Sequence, residues 1–391
     1  MDDIFIVGAL RSAIGSLEGT LSPLSAAEIG TQVIAGVLTD TGIDPGAIDE
    51  VIVGQVLQGG AGQNPARQAA VKAGIPVNVP AMTINKVCGA GQKSIHLAAQ
   101  AIKAGDAGVV LAGGQDSMSQ APHILPKARS GQKMGDAAVR DMMILDGLWD
   151  AFHDIHMGST VETLARRYQI TREDQDRFAL ASQQKARAAQ EANVFADEIV
   201  PVTVPGRKGD TLFDRDEHPR QTSLEKLSAM RPAFEEDGTI TAGNASGIND
   251  GASAVLVASG RRVKELGLTP IARIASYASF AMEPMNMGLG PVGASRQALH
   301  KAGWSVADLD VIEVNEAFAA QSLAVQKEMG WDLDKCNPHG GAIALGHPLA
   351  ASGNRIVVTL VHELKRRGKG KGLATLCIGG GMGVAICVEA V

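Results

Sequence analysis

Cys88 is the first residue whose type and position suggest chemistry. It follows a short extended segment and precedes Gly89 and an alanine-rich stretch that predicts a helix as far as Ala104. A thiol at a helix N-terminus lies near backbone N–H groups and the positive end of the helix dipole, which favour the thiolate and lower its pKa. Because the thiolate is the nucleophilic form of cysteine, the motif predicts a reactive thiol. The alternative is a small buried thiol with only a packing role.

Two further residues stand in similar glycine-rich turns far along the chain. His347 precedes a second predicted helix, and an imidazole near Cys88 could accept the proton of the thiol. Cys377 ends an apolar run, and the three glycines 379–381 that follow could present N–H groups to an oxyanion. A thiol beside such a group is placed to move a proton at a carbon next to a polarised carbonyl. The alternatives are a hydrogen-bonded core histidine and a buried core cysteine.

The remaining candidates carry weaker signals. Asn315 follows a predicted strand, where its side chain could hold a water or donate to an oxyanion, or could cap a helix. Cys336 lies in a polar loop and Cys387 inside the last predicted strand, so both are assigned packing roles. No two cysteines have the C-x-x-C spacing, and no metal site is predicted.

The composition excludes several classes of protein. The chain has 391 residues, of which 45% are hydrophobic and 20% charged, with a net charge of −6 and no run of basic residues. Nucleic acid is therefore not expected as a partner. No apolar run approaches the roughly 18 residues of a membrane span. Four cysteines in so long a chain do not make a disulfide scaffold, and no basic leader is visible, so a cytoplasmic location is expected.

An internal repeat organises the chain. Gly54 and Asn315 each follow a similar strand, 261 positions apart, and Gly91 and Gly353 each lie at the start of a helix, 262 positions apart. In the first half, however, an insertion separates the last strand, near 252–257, from the strands that precede it. The predicted units are a first core half at 1–118, completed by 250–268, an inserted domain at 119–249 and a second core half at 269–391.

Within each half, short apolar runs alternate with helical segments. Runs of about four to eight apolar residues without polar alternation are typical of strands buried on both faces. Alternation with helices is typical of βαβ units, so we predict an α/β fold with a mostly parallel sheet covered by helices. The insertion is predicted to contain helices, one of them at 182–193, and a polar stretch at 205–219.

These motifs occur together in an order that resembles the thiolase family, and the resemblance covers essentially the whole chain. The length, and G-Q-N-P-A-R-Q at 62–68, look like the short biosynthetic members. The resemblance implies duplicated βαβ halves that form a five-layered αβαβα core with an inserted loop domain. The six matching blocks are N-K-V-C-G-A-G at 85–91, G-G-Q-D-S-M-S at 113–119, G-N-A-S-G at 243–247, N-E-A-F at 315–318, G-H-P at 346–348 and C-I-G-G-G at 377–381.

The resemblance also implies a two-step acyl exchange. Cys88, activated by His347, would take the acetyl group of one acetyl-CoA, and Cys377 would remove an α-proton from a second. The enolate would attack the acyl-enzyme to give acetoacetyl-CoA and free CoA, and thiolysis is the reverse. Asn315, through a water, and His347 would stabilise the enolate, and the N–H groups of Cys88 and Gly379 the tetrahedral intermediate. CoA thioesters are then substrates, and neither a cofactor nor a metal is expected.

By the same resemblance, the inserted domain would bind CoA. Arg220 offers a fixed charge to an anionic nucleotide, unless it is a solvated surface arginine. Members of the family are usually homotetramers or dimers, and a homotetramer built as a dimer of dimers is expected. The CoA contacts implied by position are Leu148, His156, Met157, Arg220, Phe234, Ser246, Ala317 and Phe318.

Three residues depart from the family pattern. Asp116 stands where Glu is usual, His339 where Asn is common, and Ala350 where Gly is common. His339 and Ala350 lie close enough in sequence to His347 that they are expected to affect acyl-chain preference and rate.

Three other functions compete with acetyl transfer between CoA thioesters. The main rival is a 3-ketoacyl-CoA thiolase of broader chain length in fatty-acid degradation, which would use the same catalytic residues. A non-catalytic lipid carrier of this fold would be expected to lack at least one of the two reactive cysteines or the histidine. A ketoacyl synthase would be expected to use one Cys and two His, whereas the second glycine turn here carries Cys377.

Overall fold

A computed structural model describes residues 3–391 of the chain, and a mixed sheet forms its centre. The strands are β1 (Ile4–Ser12), β2 (Gly15–Ser16), β3 (Glu50–Gly54), β4 (Ala81–Ile84), β5 (Val109–Ser117), β6 (His123–Ile124), β7 (Arg140–Asp141), β8 (Trp149–Asp150), β9 (Ile155–His156), β10 (Ile199–Val200), β11 (Val202–Val204), β12 (Thr211–Phe213), β13 (Asn249–Ser259), β14 (Ala272–Ala281), β15 (Val311–Val314), β16 (Lys371–Ile378) and β17 (Met382–Ala390).

Helices connect and cover these strands. The α-helices are α1 (Ala26–Thr41), α2 (Pro65–Lys72), α3 (Ala90–Ala104), α4 (Met157–Arg167), α5 (Arg172–Glu191), α6 (Leu224–Ser228), α7 (Gly260–Leu266), α8 (Gly290–Ala302), α9 (Ala319–Met329), α10 (Ala342–Leu345) and α11 (Leu349–Arg367). Thr171 and Asp174 form a capping box at the start of α5, which therefore begins before the predicted 182–193. Among the helices of residues 3–391, none combines the length and apolar character needed to cross a membrane.

The α/β class is confirmed, but the strand directions differ from the prediction. The main path of the sheet runs β15-β16-β17-β14-β1-β13-β5-β3-β4, with β2 added to β13 and β10 to β1. Along this path only β15–β16, β3–β5 and β3–β4 are parallel, so the predicted mostly parallel sheet is wrong. The reason lies in the connections. β16 and β17 are joined only by the glycine turn 379–381, which is too short for the crossover that a parallel pair needs.

Two half-sheets and three helix layers make up the core. A short ladder of β1 and β14, in which Phe5 pairs with Arg273 and Ile6 with Ala272, joins the half-sheets. α3 and α11 lie between them, in an apolar cluster with side chains from both. α1 and α2 cover the outer face of the first half-sheet, and α8 and α9 that of the second. The five-layered αβαβα arrangement of duplicated halves is therefore confirmed.

The two central helices approach each other through glycines. Gly91 in α3 and Gly353 in α11, which the repeat relates, each face the backbone of the other helix. A Cβ at Gly91 would overlap the carbonyl oxygen of Ala350, and one at Gly353 would lie 2.9 Å from the amide nitrogen of Gln92. Because backbone atoms cannot move aside as the end of a long side chain can, only glycine allows this close approach.

The segment between β5 and β13 packs against the core. Its strand β10 pairs with β1 at Arg11 and Ser12. Arg11 is fully buried and pairs with two carboxylates of the segment, Glu198 at 2.6 Å and Asp216 at 2.7 Å. Burial of three charged groups in one contact fixes how this segment lies on the core. The domain bounds 119–249 stay a prediction.

Replacement of Gly91 by alanine should destabilise the protein. In most helix interiors this change stabilises by about 0.5–1 kcal/mol. Here the overlap with the backbone of α11 should reverse the sign and cost about 1–3 kcal/mol. Urea unfolding followed by circular dichroism measures the difference. Gly46→Ala is the control, because its nearest contact would be the Asp44 side chain at 3.4 Å. Equal stability of the two variants would contradict the helix-crossing constraint.

Candidate active site

A strained turn places Cys88 directly before α3. Val87 has a left-handed backbone with φ of +46°, which is rare for a β-branched residue. Its N–H donates to Asn85 Oδ1 at 2.8 Å, and the N–H of Gly89 donates to Lys86 O at 3.1 Å. These local hydrogen bonds hold a conformation that costs energy by itself. The turn leaves Cys88 partly exposed next to Gly89, the N-cap of α3, at the helix N-terminus that the sequence predicts.

The sequence predicted a lowered pKa for the Cys88 thiol, but burial changes its pKa in the opposite direction. Although part of Cys88 is exposed, the protein packed around its thiol displaces water from it and raises the pKa of Cys88 to about 12. The nearby N–H groups of Gly379 and of Cys88 itself lower the pKa, and the Asp116 carboxylate adds a smaller increase. The predicted lowering of the Cys88 pKa is therefore wrong, because loss of hydration outweighs the N–H groups at the helix end. The thiol is protonated at neutral pH in the resting protein.

Cys377 is the last residue but one of β16, next to the turn that faces Cys88. The two turns are in contact: a Cβ at Gly379 would lie 3.7 Å from Val87 Cγ1, and one at Gly89 would overlap the side chain of Ile378. Gly381 has φ of +78°, and a side chain there would overlap the carbonyl oxygen of Met282. Burial raises the pKa of Cys377 above its usual range, and the nearby Cys88 sulfur, when charged, raises it further. The structure thus brings together two thiols that are 289 positions apart in the chain.

His347 lies in the turn that leads into α11, and both its backbone and its ring are held. Its N–H donates to Asn249 Oδ1 at 2.9 Å, and its Nδ1 is 2.5 Å from Ser352 Oγ. Burial, followed by the charge of Arg355, lowers the pKa of His347 to about 4, so the imidazole is neutral at pH 7. Because Ser352 engages Nδ1, Nε2 is the ring nitrogen that remains for chemistry.

Asn315 directly follows β15, as predicted, and is completely buried. Neither Oδ1 nor Nδ2 has a hydrogen-bond partner within residues 3–391, which is uncommon for a buried amide. Asn315 does not cap α9, whose N-cap is Phe318, so the capping alternative is wrong. Its amide can donate to, or accept from, an oxygen of a substrate or a water.

A cavity of about 660 Å³ with His347 in its wall lies between the core and the insertion. Two of the predicted CoA contacts do not line it. Met157 packs beside Gly379, and Ala317 accepts the N–H of Ser246 at 3.0 Å. The predicted contacts that do line the cavity are Leu148, His156, Arg220, Phe234, Ser246 and Phe318.

Aromatic rings form one wall of this cavity. The His156 ring stacks on Phe234 with 4.6 Å between centroids, and Phe234 meets Phe318 edge-on at 6.0 Å. His156 Nδ1 accepts the N–H of Gly158 at 3.0 Å, which fixes the ring at the start of α4. Burial lowers the pKa of His156. A neutral aromatic wall with the exposed Arg220 beside it suits a ligand with an apolar body and an anionic end.

The cavity wall also contains residues that were not predicted as CoA contacts, among them Met118, His218 and Leu349. Met118 and Leu349 belong to the small apolar cluster against which Cys88 and Leu148 pack. Burial, followed by the charge of Arg220, lowers the pKa of His218 to about 4. The only signals for these residues were their places beside the motifs: Leu349 two positions after His347, and His218 two before Arg220.

Comparisons with known proteins identify the family of this chain. The family model described as "Thiolase, N-terminal domain" matches residues 4–261, and that described as "Thiolase, C-terminal domain" matches residues 268–390. The chain belongs to the thiolase family.

Full-length thiolase relatives are closely similar. The acetyl-CoA acetyltransferase of Pseudomonas aeruginosa is 61% identical over 388 residues and that of Allochromatium vinosum 60% over 390, with 99% of each chain covered. Among solved structures, the acetyl-CoA acetyltransferase of Bacillus anthracis has a TM-score of 0.98 and human mitochondrial 3-ketoacyl-CoA thiolase one of 0.97. Both are 44% identical, and each match covers 100% of this chain and 99% of the solved one.

The three departures from the thiolase pattern lie in different surroundings. Asp116 is fully buried and accepts the N–H of Ala350 at 2.8 Å, so these two departures are in direct contact. His339 instead contacts Glu363 at 2.8 Å and Phe195 edge-on, and it does not line the cavity. The effect on acyl-chain preference that we expected of His339 therefore has no basis in its contacts.

Alkylation of Cys88 by iodoacetamide should continue to accelerate with pH above the usual thiol pKa of 9.0. Because burial raises the pKa of Cys88 to about 12 and keeps that of His347 at about 4, no thiolate–imidazolium pair forms at pH 7. Mass spectrometry of the labelled peptide measures the rate at each pH, and Cys88→Ser gives the background from the buried cysteines. A plateau near neutral pH would contradict this electrostatic description.

Proposed function

We propose that this thiolase is an acetyl-CoA C-acetyltransferase, which condenses two acetyl-CoA molecules to acetoacetyl-CoA and CoA and catalyses the reverse thiolysis. The observation that carries the proposal is the contact between the turns of Cys88 and Cys377, where Gly89 lies against Ile378, in a fold where His347 lines the adjoining cavity. The names of relatives about 60% identical over their full length support the choice of acetyl-CoA.

In the first step Cys88 becomes acetylated. The neutral His347 accepts the thiol proton at Nε2 while the Cys88 sulfur attacks the carbonyl carbon of acetyl-CoA. The N–H groups of Cys88 and Gly379 then stabilise the carbonyl oxygen as it gains charge. When the intermediate collapses, the bond to CoA breaks and Cys377 gives its proton to the departing CoA sulfur. His347 is then protonated, and Cys377 is a thiolate.

In the second step the Cys377 thiolate removes an α-proton from a second acetyl-CoA. Its raised pKa makes the thiolate a strong base for this purpose. Asn315, through a water, and protonated His347 stabilise the enolate oxygen. The enolate carbon attacks the acetyl carbonyl, the bond to Cys88 breaks, and His347 returns its proton to the sulfur. The step needs no further cofactor or metal, because these donors carry the developing charge.

The cavity is proposed as the CoA site. The apolar pantetheine arm would lie along the wall of His156, Phe234 and Phe318, with Leu148 and Met157 nearer the thiols. Arg220 is exposed at the cavity and suits the phosphates of the nucleotide end. The remaining proposed contacts are Ser246, which precedes β13, and Ala317, which follows β15. The N–H of Ser246 donates to the carbonyl oxygen of Ala317.

We also propose a homotetramer, built as a dimer of dimers, in the cytoplasm. β4 ends the sheet path, and its residue Met82 is exposed, so this edge could pair with a second copy. The exposed apolar side chains of Met134, Val139 and Phe152 in the insertion could be buried against another dimer. The free cysteines fit a reducing compartment.

Two substitutions separate the steps. Cys88→Ser should abolish labelling of the protein by radiolabelled acetyl-CoA, because the acceptor sulfur is gone. Cys377→Ala should retain labelling, because CoA can leave as a thiolate and take its proton from water. It should lose condensation by at least about 100-fold, because no base remains for the α-proton. Acid-stable label in the denatured protein measures the first step, and acetoacetyl-CoA formation measures the second. Full condensation by Cys377→Ala would refute the assigned proton transfer.

The acyl-chain length of the preferred substrate distinguishes the proposed function from its rival, a 3-ketoacyl-CoA thiolase that accepts a broader range of chain lengths. Met118, Leu148 and Leu349 crowd the space beside Cys88. We expect thiolysis of acetoacetyl-CoA to exceed that of a six-carbon 3-ketoacyl-CoA at least about tenfold in kcat/KM, because each misfitting methylene costs about 1–3 kcal/mol.

Met118→Ala enlarges the space beside Cys88 and should lower the ratio of kcat/KM between the four-carbon and six-carbon substrates. Val77→Ala, on the exposed surface, should leave that ratio unchanged. An equal or higher kcat/KM for the longer substrate in the unmodified protein would favour the broader thiolase.

A further inference from the structure

The turn that carries His347 is held by two side chains from the other core half. The N–H of His347 donates to Asn249 Oδ1 at 2.9 Å, and the N–H of Ala350, three residues later, donates to Asp116 Oδ2 at 2.8 Å. Asn249 begins β13, and Asp116 lies near the end of the neighbouring strand β5. Side chains on two adjacent strands of the first half-sheet thus accept hydrogen bonds from both ends of one short turn of the second half.

Asn249 is completely buried, and its own position is fixed. Its Nδ2 donates to the carbonyl oxygen of Gly15 at 2.9 Å, which leaves Oδ1 directed at the His347 turn. Gly346, just before His347, has φ of +108°, and a Cβ there would lie 2.6 Å from Asn249 Cγ. The glycine therefore allows the turn to lie directly on the Asn249 side chain.

Asp116 is also completely buried, and it joins three pieces of backbone. Oδ1 accepts the N–H groups of Leu57 at 3.0 Å and Val56 at 3.2 Å, which follow β3, while Oδ2 accepts that of Ala350 in the first turn of α11. A carboxylate at a helix N-terminus satisfies N–H groups that have no partner inside the helix. Burial raises the pKa of Asp116 to about 7, and the nearby Asp250 contributes to the increase.

We propose that Asn249 and Asp116 are positioning residues that clamp the turn from His347 to Ala350 and thereby set the His347 imidazole against the Cys88 thiol. Neither side chain is assigned contact with substrate. The clamp acts on the backbone at both ends of the turn, and Ser352 completes it by holding Nδ1 of the ring. The inference rests on the proposed acetyl transfer for its kinetic effects. It also predicts an effect on the Cys88 thiol that needs no turnover.

The physical argument is geometric. Cys88 belongs to the first core half and His347 to the second, so proton transfer between them depends on how the halves are joined near the site. A misplacement of about 1 Å in such a pair can cost about 100-fold in rate. Two hydrogen bonds, one at each end of the turn, restrict its rotation as well as its translation, which one bond could not do.

The kinetic test compares Asn249→Ala, Asp116→Asn and the double variant with the unmodified protein. Each single change should lower kcat for acetoacetyl-CoA thiolysis about 100-fold while KM stays within about threefold, because placement of the base is lost and CoA binding is not. The double variant should lose much less than the product of the two single losses, because both residues hold the same turn. Melting temperatures are measured alongside.

Asp49→Asn is the matched control. Asp49 Oδ2 accepts the N–H groups of Gly108 at 2.7 Å and Val109 at 2.9 Å, at the opposite end of β5 from Asp116. This variant should lose some stability but keep kcat. If Asn249→Ala fails to fold, Asp116→Asn, which keeps the side-chain volume, decides the proposal by the same criteria.

Alkylation of Cys88 provides a readout that is independent of turnover. The charged groups that face the sulfur from the packed elements include Asp116, whose carboxylate raises the Cys88 pKa. Asp116→Asn should therefore shift the pH dependence of alkylation by iodoacetamide to lower pH, although kcat falls. Asp49→Asn should leave the alkylation profile unchanged. If the unmodified protein had no condensation or thiolysis activity, the proposed function would fail while this shift would still be testable.

Three results would overturn the clamp. The first is a kcat within threefold of the unmodified protein in both single variants. The second is a loss of kcat in the double variant that equals the product of the two single losses. Two residues that hold the same turn would not act independently in this way. The third is an equal loss of kcat in Asp49→Asn and Asp116→Asn with no shift in alkylation, which would make Asp116 a structural residue only.

Discussion

The contact between α3 and α11 through Gly91 and Gly353 is the constraint on which the site depends. Backbone-to-backbone approach at these glycines sets how near the two central helices can lie. Cys88 stands just before one helix and His347 just before the other, so the two turns that precede the helices are brought to the same place. The repeat thus produces a site with one reactive turn from each half. The insertion then supplies most of the cavity over it.

Close packing at this crossing also determines the charge state of the site. The same approach that brings the turns together removes water from them. Burial favours the neutral form of both partners, raising the pKa of Cys88 and lowering that of His347. The N–H groups at the helix end are therefore not enough to create a thiolate in the resting protein. They matter in the reaction itself, where charge forms on an oxygen in a site that is largely shielded from bulk water.

The sequence predicted those features that depend on local pattern and on the repeat, and missed those that depend on distant contacts. The Cys88 turn and α3 follow from glycine spacing and local pattern, the five layers were implied by the family resemblance, and the structure confirms all three. The predicted strand directions were wrong, because an apolar run does not indicate whether a strand is parallel or antiparallel to its neighbour. Asp116 was noted only as a departure from a pattern. Its bond to Ala350 spans 234 positions, and no local signal marks such a contact.

The cavity depends in turn on a buried ion cluster at the first strand. Arg11 pairs with Glu198 and with both carboxylate oxygens of Asp216, and Asp216 Oδ1 also accepts the N–H of Ile14. Buried ion pairs contribute little net stability, because desolvation offsets their attraction, but they tolerate few geometries. The residues that follow Asp216 run directly along the cavity to Arg220. The cluster therefore fixes where this wall of the insertion lies relative to the turns of the two thiols, just as the glycine crossing fixes those turns relative to each other.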